Sequence, residues 1–233
     1  MRLRAMKNTS AGWYAANRPA ATLPWREAEF CVVDVETTGL DLARDDIVSY
    51  GAVVVRAGRV IAGTSLYGLV RPHAHVSAKS ITAHALRAED LTDAPPLDHA
   101  VDRLLEIMCG RVLVAHAAWV EKAFLGRALR PRRVRLTSPV LDTAALARAA
   151  GVAPRCGVAE PSLEHLALSV GATLHTPHHA LGDALTTAEI FVVLASRLDR
   201  DFPQSVGSLA ATPALQPARA SALRGEADAR WRG

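Results

Sequence analysis

Asp34 and Glu36 stand two residues apart where the valine-rich run of residues 30–35 gives way to Thr37-Thr38-Gly39. Alternate side chains of a strand share a face, so these two carboxylates project together while Val33 and Val35 point the other way. Two like charges at the end of an apolar strand are costly unless something positive lies between them, and a divalent metal is the natural counter-charge. The other reading, a pair of solvated acids at a sheet edge, is opposed by their apolar flanks. Gly39 lets the backbone turn sharply and approach a ligand closely. Further along, His178-His179-Ala180-Leu181-Gly182-Asp183 places a third carboxylate just ahead of a long apolar stripe, with imidazoles five and four residues upstream. Histidine titrates near neutrality and can take a proton from water; helix capping and direct metal binding are the competing uses of the pair. A fourth acid, Glu121, falls early in a helix after the strand of residues 111–115. The helix dipole favours a carboxylate there, and an exposed first-turn glutamate is the plainer account.

Such residues need a frame to bring them together. Residues 30–35, 47–55 and 59–70 are apolar runs separated by Asp45-Asp46 and Ala57-Gly58, and they read as three strands of an antiparallel meander. Leu97, Val101, Leu104, Leu105 and Met108 then recur at helical spacing, followed by a strand over 111–115 and a helix over 119–129 that ends before Pro131. Val140-Leu141 starts a short strand leading into a helix over 143–149. Ser162 is a helix N-cap for residues up to 170, and a last long helix runs to about residue 198. Hairpin-linked strands followed by alternating helices and strands predict an α/β fold, a mixed sheet with helices on both faces.

With 233 residues, half of them apolar and 21% charged, the chain has material for a sizeable core and is too apolar to be mostly disordered. One domain over 29–203 is expected. An irregular N-terminal arm over 1–28, with Trp13, Tyr14 and Trp25 available for packing, precedes it, and an Ala/Pro/Arg-rich tail over 204–233, expected to be disordered, follows. No apolar run approaches the roughly 20 residues of a membrane span, and residues 8–24 hold no signal-peptide core, so a cytoplasmic location without membrane association is expected. Three scattered cysteines without a CxxC pair read as reduced, mostly buried thiols. The net charge of +4 sits at the ends, leaving residues 29–203 at −2. The one basic cluster inside them, Arg127, Arg130, Arg132, Arg133 and Arg135, fits either a phosphate-steering surface or a solvated loop.

Taken together, the motifs closely resemble the DnaQ-like, or DEDDh, 3′-to-5′ exonuclease superfamily, which includes the epsilon proofreading subunit of bacterial DNA polymerase III. The resemblance covers about residues 29–200. Asp34-Val35-Glu36-Thr37-Thr38-Gly39 reproduces the family's Asp-x-Glu-Thr-Thr-Gly, and residues 178–184 its His-x4-Asp-Ala. Residues 80–86, Leu141-Asp142-Thr143 and Ser162-Leu163-Glu164-His165-Leu166 match supporting segments. The second motif departs: His116-Ala117-Ala118-Trp119-Val120-Glu121 stands where the family usually reads His-Asn-Ala-x-Phe-Asp.

The resemblance implies a ribonuclease H-like fold and two divalent ions, Mg2+ or Mn2+. Asp34 would bridge both ions, Glu36 and Asp183 would hold the one that binds the attacking water, and Glu121 would serve the second. His178 would be the general base, with His179 at the position where a sister branch carries tyrosine. Thr37, Thr38 and Leu40 would contact the terminal nucleotide, and His84 either borders the substrate groove or makes a structural hydrogen bond. His116 is expected to orient its loop and Asp142 to cap a helix. The implied substrates are single-stranded or frayed nucleic acid 3′ ends, DNA favoured over RNA, with release of nucleoside 5′-monophosphates and a polymerase or replication partner. RNA trimming, and a degenerate nucleic-acid-binding or scaffold protein, are the alternatives. Because glutamate is one methylene longer than aspartate, and magnesium demands octahedral geometry at about 2.0–2.1 Å, the resemblance further implies lowered activity or a preference for manganese.

Overall fold

The computed structural model describes residues 17, 19–136, 139–154 and 160–213. The expectations for Trp13, Tyr14, Cys156 and the tail from residue 214 lie outside the described residues.

The valine-rich run forms β1 (Glu29–Thr37), which pairs antiparallel with β2 (Ile47–Arg56); β2 pairs antiparallel with β3 (Arg59–Leu69). Ala57 and Gly58 both adopt positive φ, the two-residue turn that matches strand twist in a hairpin. On the other side of β1 lie β4 (Val112–Ala115) and β5 (Val140–Asp142), both parallel to it, giving the order β3-β2-β1-β4-β5.

Strand alternation divides the core in two. Cys31, Val33 and Val35 face a layer made by α2 (Leu97–Met108) and α3 (Trp119–Leu129), through Leu104, Leu105, Met108, Phe124 and Leu125. Phe30 and Val32 face the opposite layer, which comprises α4 (Thr143–Ala149), α5 (Leu163–Val170), α6 (Ala180–Asp201) and α7 (Val206–Ala210). This is the expected mixed sheet with helices on both faces. Ser162 caps α5 as its sequence position indicates, accepting from the His165 amide at 3.2 Å.

Two features differ from the sequence reading. A short helix, α1 (Ala78–His84), forms beyond Pro72; its N-cap Ser77 accepts from the Ser80 amide, and it closes on Ala85 in the left-handed conformation. The ordered body also continues past 203. Residues 204–207 run against 21–25, with Trp25 N donating to the Gln204 carbonyl at 3.1 Å and Val206 N to that of Leu23 at 2.9 Å. Val206 and Leu209 are buried there, and Trp25 of the N-terminal arm packs edge-on against Phe191 of α6. Two segments that lack a period of their own thus hold each other on the helical layer. Among the described residues, no helix is long and apolar enough to cross a membrane.

Candidate active site

Asp34 and Glu36 extend the row begun by Phe30 and Val32, so they emerge on the face covered by α6. In the sheet Asp34 lies opposite Gly51 of β2, and the first turn of α6 rests on that glycine. A Cβ on Gly51 would come within 2.3 Å of the Ala180 carbonyl and the Leu181 nitrogen. The missing side chain is what lets the helix come down on the strand, and Asp183, in that first turn, reaches Asp34 and Glu36 as a result. Carboxylate oxygens of Asp34, Glu36 and Asp183 all lie within 4.8 Å of one another, and all three residues are buried. Three carboxylates of this kind form a hard, all-oxygen donor set suited to Mg2+ or Mn2+.

The two histidines have separate places. His178 lines the same cavity as the three acids, and its backbone N–H donates to Asp183 Oδ2 at 3.1 Å from a left-handed conformation at φ 58°. His179 is the N-cap of α6: its Nδ1 accepts from the Gly182 amide at 3.4 Å, and its ring stacks on Tyr67 with centroids 4.3 Å apart.

Beyond β1 the chain turns through Thr37, Thr38 and Gly39. The Thr38 hydroxyl donates to Asp45 Oδ1 at 2.8 Å and accepts from the Asp46 amide at 3.0 Å. Its carbonyl accepts from Ser77 N and from the Ser80 hydroxyl. Thr38 is fully buried and does not line the cavity, whereas Thr37 and Leu40 do. A Cβ on Gly39 would lie 2.4 Å from Asp45 Oδ2, so this glycine serves the packing of the loop's own carboxylate. Arg127 of α3 straps the loop from beneath, donating to the carbonyls of Leu42 and Asp45 and pairing with Asp46 at 3.6 Å. Arg132 pairs with Asp102 at 2.7 Å. Two members of the basic cluster are therefore engaged within the fold.

His84 is buried outside the cavity lining. Its Nδ1 accepts from the Leu86 amide at 3.1 Å, which leaves Nε2 to donate to the Thr37 carbonyl at 3.2 Å. Burial holds its imidazole below the usual histidine range.

Glu121 follows β4, the strand beside β1. It lies in the first turn of α3 and is fully buried, but it does not belong to the group of three acids or to the cavity lining; its neighbour Val120 lines the cavity instead. The turn leading to it is fixed by Asp142 and His116. Asp142 Oδ1 caps α4, accepting from Ala144 N at 2.9 Å and from Ala117 N at 3.1 Å, and Ala117 is itself left-handed at φ 49°. Burial, reinforced by the charge of Glu160, pushes the Asp142 carboxyl up to about 6. His116 contacts the Thr143 hydroxyl and the Pro161 carbonyl, each at 2.9 Å.

These elements border an open cavity lined by Asp34, Glu36, His178 and Asp183 on its polar side and by Val35, Leu40 and Val120 on its apolar side. Val35 and Val120 carried no signal in the sequence, being ordinary core residues in strand and helix patterns. Three carboxylates against an apolar wall suit a bound cation, through which an anionic group of a partly apolar ligand could be held.

The exonuclease family described as RNase_T matches residues 31–191. A DNA polymerase III subunit epsilon-like protein of Rhodobacter capsulatus is 35% identical over 182 residues, which is 76% of this chain and 25% of that protein. DNA polymerase III subunit epsilon of Treponema pallidum is 32% identical over 166 residues, 71% of this chain and 75% of that one. Against the PolC-type DNA polymerase III of Clostridium perfringens, the chain spans only 11% of the relative's length. Among solved structures, E. coli Exonuclease I in complex with a dT13 oligonucleotide superposes with a TM-score of 0.64 at 15% identity, over 75% of this chain and 42% of that one, and so shares the fold. The matched segment carries the carboxylate row of β1 at one end and the helix bearing Asp183 at the other: the chain belongs to the RNase_T exonuclease family.

Proposed function

We propose that this protein is a metal-dependent 3′-to-5′ exonuclease that removes nucleoside 5′-monophosphates from DNA 3′ ends. The observation that carries this reading is the convergence of Asp34, Glu36 and Asp183 to within 4.8 Å of one another, in a cavity shared with His178. Asp34, Glu36 and Asp183 would hold one divalent ion, and Asp34 with Glu121 a second. Such ions, when bound, offset the charge of a phosphodiester and lower the pKa of a coordinated water. His178, which lines the same cavity, would accept the proton of the attacking water. Thr37 and Leu40 border the space a terminal nucleotide would take. Thr38 and His84 act at one remove, fixing the turn that carries them. The similarity to epsilon subunits supports a polymerase as partner and a cytoplasmic setting.

The test incubates purified protein with 5′-labelled single-stranded DNA and RNA of one sequence, in Mg2+, Mn2+ or chelator, beside Asp34→Ala. A stepwise ladder on DNA, absent with chelator and in the variant, is expected; no cleavage of either substrate in either metal would refute the reading. The altered second motif, His116-Ala117-Ala118-Trp119-Val120-Glu121, is what a second reading rests on, a nucleic-acid-binding protein without turnover, and the same assay separates the two. Glu121→Asp is expected to raise the Mg2+-supported rate relative to the Mn2+-supported one, measured as the ratio of initial rates in the two metals.

A further inference from the structure

Asp34, Gly51 and Tyr67 lie opposite one another in three adjacent strands, β1, β2 and β3, and so form one row across the sheet on the face covered by α6. The first turn of α6 rests on the middle member, Gly51. On one side of that seat stands Asp34, which Asp183 must reach. On the other stands Tyr67, whose ring stacks on His179 at 4.3 Å with planes 25° apart. Ser49, the cross-strand partner of Glu36, lies two residues along β2 from Gly51, the partner of Tyr67; burial, and then the charge of Glu36, push the Tyr67 hydroxyl up from its ordinary value. His179 in turn caps α6 through its Nδ1, and its chain neighbour is the cavity histidine. A single half-exposed side chain thus holds the helix turn that supplies the third carboxylate from the same cross-sheet row as Asp34.

Glycine offers α6 a close approach but no lateral stop, since a flat spot on a sheet does not fix where a helix end sits along it. The aromatic pair supplies that stop. Stacked rings favour an offset parallel arrangement, and sliding the helix end sideways would break it. We propose that Tyr67 is a positioning residue for the site: by stacking on His179 from its place on β3, in the row with Gly51 and Asp34, it fixes the first turn of α6, and with it Asp183 and His178, against the carboxylates of β1. This rests on the nuclease reading above for its consequence, though not for its geometry.

The experiment is a double-mutant cycle on the full chain with Tyr67→Ala and His179→Asn, plus Tyr67→Phe. Asparagine keeps an N-cap acceptor and removes the stacked ring. Tyr67→Ala is expected to lower kcat on single-stranded DNA about tenfold, the size an aromatic pair supports, with KM within about twofold. His179→Asn should lose as much, the double variant no more than either single one, and Tyr67→Phe should recover most of the rate. Two readouts need no turnover: faster amide hydrogen exchange at Gly182 and Asp183, and a smaller rise in melting temperature on adding Mn2+, in Tyr67→Ala than in wild type. Additive losses, a change confined to KM, or unchanged exchange at Gly182 would overturn the proposal. A wild-type protein as inactive as Asp34→Ala would overturn the nuclease reading alone, because the exchange and Mn2+ measurements still decide the role of Tyr67.

Discussion

Three carboxylates within 4.8 Å repel one another, so the protein without metal carries a local cost that a bound cation removes. Asp34→Asn is therefore expected to raise the melting temperature in chelator and to abolish most of the further rise that Mn2+ gives the wild type, which amounts to about 2.7 kcal/mol at a hundredfold excess over Kd. Equal Mn2+ shifts in both proteins, followed by thermal denaturation, would place the ion elsewhere. Asp142 offers a second test, through pH. Its carboxyl, raised to about 6 in the folded protein, takes up a proton more readily there than in the unfolded chain. Its contribution to stability is thus fully present below the unfolded value of about 3.9 and lost as pH rises through about 6. Asp142→Asn keeps an acceptor for the Ala117 and Ala144 amides and avoids the buried charge. Urea titrations should find it more stable than wild type by about 1–3 kcal/mol at pH 8, with most of that advantage gone by pH 4. At this scale the sequence was informative wherever local period sets direction. The two-residue spacing of Asp34 and Glu36 and the five-residue spacing of His178 and Asp183 say which groups can meet. The role of Glu121 rests on its place in the second motif alone, because the direction of its side chain depends on how α3 is tilted on the sheet, and no spacing encodes a tilt. Tyr67 escaped notice for a similar reason: its partner His179 is set by the seating of a helix across strands.

The element that decides the site is α6, and its seat on β2 has no room for a side chain. Gly51→Ala would drive a methyl group into the backbone of Ala180 and Leu181, and overpacking of this kind costs about 1–3 kcal/mol. Chemical denaturation is expected to register that loss, and nuclease activity should fall further than the loss of folded protein explains, since α6 must lift away from Asp34 to make space. A variant as stable and as active as wild type would contradict this account of the helix's position. The strands and longer helices were readable because each buries one face and repeats at its own period, as α2 does with Val101, Leu104, Leu105 and Met108. The seven-residue α1 was not, because it buries only Ser80 and His84 and presents no apolar stripe. Ser77, its capping residue, was the available signal.

Across the whole molecule, the ordered body is closed by two segments far apart in sequence, residues 21–25 and 204–210, which meet beside α6. Neither has a helical or strand period strong enough to stand out, and their order comes from what they cover: Trp25 against Phe191, and Val206 and Leu209 in the same core. A chain ending after residue 203 is expected to unfold at lower denaturant than one ending after 213, by several kcal/mol, given roughly 1.5–3 kcal/mol for each buried Val or Leu. Coincident unfolding curves would show the closure to be idle. The left-handed residues have a wider consequence. Ala85, Ala117 and His178 each hold a conformation that side chains disfavour, and they sit in the segments that brace Thr37, lead to Glu121 and carry the cavity imidazole. Backbone kept against its own preference is the first to relax on warming. Heat should disarm this protein before it melts it.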